Sequence, residues 1–169
     1  MLLLVLFAGG IIWLVLNGMP YINSLRANWE AHRLQAQWEK PYREDKYGGK
    51  TPEETYDMFL AALSKGDTTL ASKYFVVDKQ ESWSKTLEEY KKQNLLSNFI
   101  LELENVRKIW KKSEKSTENL VSFTYLNRIS NDKVVNFEGQ KITIPAGNYT
   151  NETVFELNIY TKVWKVNTL

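Results

Sequence analysis

The stretch TPEETYDMFLAALSKGDTTLASKYF, residues 51–75, decides how the rest of this chain is read. Thr51 is a favourable N-cap, Pro52 suits the first helical position, and Glu54 completes a capping box. Tyr56, Phe59, Leu60 and Leu63 fall at i, i+3, i+4 and i+7, one apolar stripe on a helix. Gly66 can adopt the left-handed conformation that stops it. Asp67 then caps a second short helix carrying Leu70, Ala71, Tyr74 and Phe75. A third helix is predicted from near Asp78, with Trp83, Leu87, Tyr90 and Leu95 inward and Lys91–Lys92 close to its C-terminal end.

Downstream the period changes. FILELENVRKIWKK, from Phe99, alternates in part and predicts a strand. LVSFTYLNRI predicts another, with Val121, Phe123 and Tyr125 on one face, and KVVNFEGQKITIPAG a hairpin around Glu138–Gly139. The closing segment alternates Phe155, Leu157 and Ile159 against polar neighbours. Helices followed by consecutive strands predict an α+β domain over 51–169 with an antiparallel sheet.

This pattern resembles the start of NTF2-like domains of the cystatin-like superfamily. In those, a TPEE…FL.AL..GD…A..YF helix pair precedes a curved sheet that ends in a WKV-type strand. VWKV, residues 163–166, stands in that final place. The resemblance implies a cone between helix and sheet, where enzymes of this shape commonly place an Asp, a His or a Tyr. The whole arrangement looks like a small membrane-anchored bacterial protein carrying such a domain.

The anchor is read from MLLLVLFAGGIIWLVL, residues 1–16, which holds no charge. Continued to Ile22, it approaches the roughly 20 residues needed to span a bilayer. Trp13 and Tyr21 are boundary aromatics of the expected kind. Residues 1–22 are therefore expected to sit in membrane lipid. A cleaved signal peptide competes, but neither a basic n-region nor a small-residue cleavage site is clear. A buried helix is the other alternative. A natural start upstream of Met1 would explain the missing n-region. Arg26 and Arg33 on the C-terminal side favour a cytoplasmic body, whereas a lost basic start would favour an extracytoplasmic one. The body is expected outside the cytoplasm.

Residues 23–50 form a connector. Ile22, Leu25, Trp29, His32 and Ala36 keep to one helical face, Asn23 or Ser24 would cap its start, and Pro41 would end it. Trp29 and Trp38 are expected at the membrane interface or on a partner, with a helical stalk packing on its own domain as the plainer reading. YREDKYGGK, residues 42–50, reads as a hinge.

Composition limits the function classes. The chain has 22 Lys and Arg against 20 Asp and Glu, and residues 51–169 hold 16 of each sign. Nucleic-acid binding, which needs a basic surplus, is not expected. No cysteine is present, which removes disulfides, thiolate metal sites and a cysteine nucleophile. The single histidine, His32, lies in the connector, so no Asp–His base pair or multi-histidine metal site can form in the cone. No cofactor is expected.

The candidate pocket or interface residues are Tyr56, Asp57, Trp83, Tyr90, Phe123 and Tyr125. Asp57 is the one carboxylate considered as a base, with Tyr56 or Tyr90 as phenolic donors, but it falls off the apolar stripe and is expected in solvent. Arg107, Lys108, Lys111, Lys112 and Lys115 form the densest basic run, read as a solvated strand end rather than an anion or lipid-headgroup site. NYT and NET, residues 148–153, match the glycosylation acceptor pattern within a turn. The expected function is a non-enzymatic interaction or scaffold domain at the cell envelope with a protein partner. The alternatives are a small-ligand cone or weak enzyme, and a connector that engages anionic lipid or peptidoglycan.

Overall fold

In the computed structural model, the backbone of residues 2–137 and 140–169 is described, with side chains for residues 23–134 and 141–169. The chain forms two compact units, residues 1–43 and 44–169.

The first unit belongs to one helix, α1, Leu2–Glu44. No cap interrupts it at Asn23 or Ser24, and Pro41 does not end it. Proline there forfeits one bond, to the Gln37 carbonyl, in the closing turn, where few bonds remain to be lost. Glu39 accepts from both Gln35 and Arg43, one turn away on either side. The side chains of residues 23–38 are all exposed, Trp29 by 66% and Trp38 by 77%. The expected anchor, with Trp13 and Tyr21, lies outside the described side chains. Among the described residues no helix is long and apolar enough to cross a membrane.

The second unit is α+β. Helix α2, Pro52–Ser64, starts as its sequence predicts: the Thr51 hydroxyl accepts from Glu54 N. The Glu54 carboxylate reaches back to Lys50 N, one residue before the cap. Gly66, at φ +70°, closes the helix with Asp67 N bonding Ala62 O and Gly66 N bonding Leu63 O. Helix α3, Thr68–Lys73, is capped by Asp67. A 3₁₀ turn, Val77–Lys79, leads into α4, Gln80–Lys92.

From Leu96 the structure departs from the expected strand. Asn94, at φ +58°, ends α4 with the same pair of bonds that Gly66 makes, Leu95 N to Tyr90 O and Asn94 N to Lys91 O. A fifth helix, α5, Leu96–Ile109, follows. Leu96, Phe99, Ile100 and Leu103 supply a helical stripe that outweighs the short alternation in FILELE. Leu96 takes the buried place expected for Leu95, which is 41% exposed.

The sheet is antiparallel with order β1-β2-β5-β6, from β1 (Lys111–Lys112), β2 (Leu120–Ile129), β5 (Gly147–Leu157) and β6 (Trp164–Thr168). Strands β3 (Lys133–Phe137) and β4 (Gln140–Ile144) pair with each other, which agrees with the expected hairpin; its turn residues, 138–139, lie outside the described residues. The two sequons lie in β5 rather than in a turn, Asn148 opposite Arg128 and Asn151 opposite Tyr125. Residues 74–76 add a single parallel bridge to the outer side of β6, at Phe75 and Val166. The core comprises Tyr56, Phe59, Leu63, Ala71, Phe75, Leu87, Leu103, Val121, Phe123, Phe155 and Val166, drawn from every helix of this unit except the 3₁₀ turn and from β2, β5 and β6.

Candidate functional site

The predicted site residues divide into three separate settings. Tyr56 and Phe123 lie in the interior beneath α2. Trp110 bridges them, its ring 4.7 Å from that of Tyr56 and stacked at 4.3 Å on Phe123, with Phe155 edge-on to all three. The Tyr56 hydroxyl donates to the Leu103 carbonyl of α5 at 3.0 Å. Burial raises its pKa above the ordinary 10.0, with Tyr125 reinforcing the effect. A buried phenol already bonded to a backbone carbonyl is a packing group. Tyr125, two residues along β2, is half-buried.

Trp83 sits in a second setting, stacked at 4.3 Å on Phe75, which meets Phe59 edge-on. Tyr90 packs edge-on against Phe99 of α5. Each is half-buried at the border of the core. The tryptophans 83, 110 and 164 border the interior, while Phe123 and Phe155 fill it.

Asp57 is on the outside of α2, as its place off the stripe predicts. Its carboxylate meets the Arg107 guanidinium at 3.0 Å, and that guanidinium also lies 4.8 Å from the Trp110 ring centre. Asp57 and Arg107 are 59% and 32% exposed. Arg107 and Lys108 therefore belong to the last turn of α5, and only Lys111 and Lys112 of the basic run are on a strand. No group of three metal-ligating residues converges among the described residues.

The arrangement that sequence reasoning missed is a buried polar cluster at Lys165. Its ammonium donates to the Asp45 carboxylate at 2.7 Å and to the carbonyls of Tyr47 and Lys73. The two side chains are 2% and 5% exposed. Burial lowers the Lys165 pKa, and the Asp45 contact opposes that shift. Gln80 donates to the same carboxylate and to Phe75 O. Nearby, the buried Thr55 hydroxyl donates toward Thr51 O and Trp164 O and accepts from Gly49 N. Trp164 N in turn bonds Gly49 O. Gly48, at φ +151°, lies so close to Trp164 O that a Cβ would stand 2.2 Å from it. The expected hinge, residues 42–50, is thus fastened to β6 over its second half. No local signal marks this; only the charge of Lys165 within an otherwise apolar VWKV hinted that something must pair with it.

A shallow groove of about 370 Å³ lies beside this cluster, lined by residues of α3 and α4 that include Thr69, Lys73, Gln80 and Glu81. Its floor is already bonded internally, Lys73 to Gln80 and Gln80 to Asp45. Comparison with family models, curated proteins and solved structures yields no match to this chain.

Proposed function

We propose that the chain is a bacterial membrane-anchored, non-enzymatic interaction domain of the cell envelope, with residues 1–22 in lipid, an NTF2-like body outside the cytoplasm and a protein partner. The observation that carries this reading is the exposed length of α1. Leu25, Trp29, Leu34 and Trp38 all stand in solvent directly after the uncharged segment 1–16. Leu25 with Trp29 and Leu34 with Trp38 are i,i+4 neighbours, so each pair makes a contiguous exposed apolar surface of the kind that meets lipid or protein.

The rest of the support comes from the body. Helix α2, its Gly66 stop and a final Trp164–Thr168 strand stand in the order that the NTF2-like resemblance implies. The interior beneath α2 holds mutually packed rings where a ligand cone would be open. The one carboxylate considered as a base is on the outer surface with Arg107.

Fractionation tests the reading. Expressed in a bacterial host, the full chain should stay in the membrane through alkaline carbonate extraction, and protease added to spheroplasts should digest its body. Release by carbonate would overturn the anchor, and protection from protease the orientation. Detergent extracts should return the chain with a reproducible partner; recovery always alone would remove the interaction role.

A further inference from the structure

The outer edge of β2 is only partly covered. Strand β1 pairs with Phe123 and Thr124 alone, because the chain leaves for α5 at Trp110. The hydrogen bond from Ser113 N to Ser122 O sets the phase: even-numbered residues of β2 turn their N–H and C=O toward the β1 edge, and odd-numbered ones toward β5. Leu126 and Arg128 therefore present two donors and two acceptors outward, and among the described residues neither bonds any backbone beyond β5. Both side chains are exposed, Leu126 by 63%.

We propose that this edge receives an extended, acidic peptide segment of a partner protein as an added strand. The inference deepens the interaction reading above and rests on it. Lys111, opposite Thr124, shares a sheet face with Leu126 and Arg128. Neither Lys111 nor Arg128 is in an ion pair among the described residues, and both are exposed. A strand laid along Leu126 and Arg128 sets one side chain between Lys111 and Arg128, opposite Leu126, and the next on that face opposite Arg128, so carboxylates fit at both. Its alternate side chains fall beside Tyr125, Asn127 and Ile129; Tyr125 and Ile129 are half-buried and Asn127 is exposed, so apolar residues fit next to the first and last. A second copy of the chain is a poor occupant. It would crowd the Lys111 and Arg128 cations of both copies along one edge, and the short stretch Tyr125–Ile129 buries far less than the roughly 1,200 Å² of a stable dimer.

The probe is the acetylated peptide Val-Glu-Val-Glu-Val-Glu, with Val-Lys-Val-Lys-Val-Lys as its control, added to the full chain in detergent micelles. Amide exchange followed by NMR should show new protection at Leu126 and Arg128, while Tyr125, Asn127 and Ile129, already bonded to β5, change little. Binding should weaken with added salt and drop about tenfold in Leu126→Pro, which removes one outward amide. Leu126→Ala, which keeps that amide, should still gain the protection. Equal binding of the lysine peptide, or binding without protection at Leu126 and Arg128, would overturn the proposal. So would protection at those amides that rises with protein concentration and no peptide, the mark of a second copy. Loss of the edge effect in a chain that still fractionates with membranes and a partner would sink this inference alone. Release by carbonate with the edge effect intact would sink only the anchor.

Discussion

Two ion pairs in the body join the same kinds of group at different depths. Lys165 and Asp45 meet at 2.7 Å with almost no exposure, while Arg107 and Asp57 meet at 3.0 Å on the surface. Around this pair, two backbone carbonyls accept from Lys165 and Gln80 donates to Asp45. Around Arg107 the only further contact described is the Trp110 ring. The distances barely differ, so distance does not set their worth. Desolvation does: once water is gone, every remaining donor and acceptor must be matched, and removing one partner strands the other. On the surface, water replaces whatever is lost.

The largest expected effect breaks the buried pair. Asp45→Ala should lower unfolding free energy by about 3–5 kcal/mol in urea titration, since it leaves an ammonium without its counter-charge. The double variant Asp45→Leu/Lys165→Met should regain much of that loss, because the cost lies in the unmatched charge. If the double variant is as unstable as the single one, depth is not what separates the two pairs.

A buried neutral group gives the intermediate case. Tyr56→Phe removes the hydroxyl's bond to the Leu103 carbonyl, which keeps its place in the α5 helix ladder, and should cost about 0.5–1.5 kcal/mol. It should also change the alkaline limb. Because the folded Tyr56 holds its proton above the ordinary 10.0, the unfolded chain releases that proton first. The contribution is complete below pH 10.0 and is lost as pH climbs toward the folded value. Urea midpoints should therefore fall less steeply above pH 10.0 in Tyr56→Phe than in the wild type. Equal slopes would place the Tyr56 phenol in contact with water.

The smallest effect is at the surface. Asp57→Asn should cost about 0.2–1 kcal/mol, and added salt should shrink even that. A loss as large as that of Asp45→Ala would contradict the comparison outright.

Helix α2 was fully legible because both of its ends and its buried stripe are written within residues 51–67, one local stretch. Helix α5 is not legible locally, although its stripe, Leu96 to Leu103, is equally regular. Its predecessor stops at an asparagine rather than a glycine, and the alternation in FILELE is a valid strand pattern at short range. The same ambiguity hides the partner of Asp57, since Arg107 belongs to the last turn of α5 and not to a strand. The exposure of Asp57 followed from helical geometry alone. Lys165 was unreadable for a different reason. In an alternating strand it faces away from Trp164 and Val166, and what covers it there is the chain at 45–47 and 73–80, too distant in sequence to be seen.

Strand β6 is gripped on both flanks, by β5 on one and by residues 74–76 on the other, while Asp45, Tyr47 and Gly49 fasten to it across more than a hundred residues. The earliest part of the body thus waits for Trp164–Thr168 to leave the ribosome. Such remote closures make folding slow relative to helix formation. Helices α2 to α5 must pass through synthesis as an open, unsealed assembly, and only then does the final strand lock the gap.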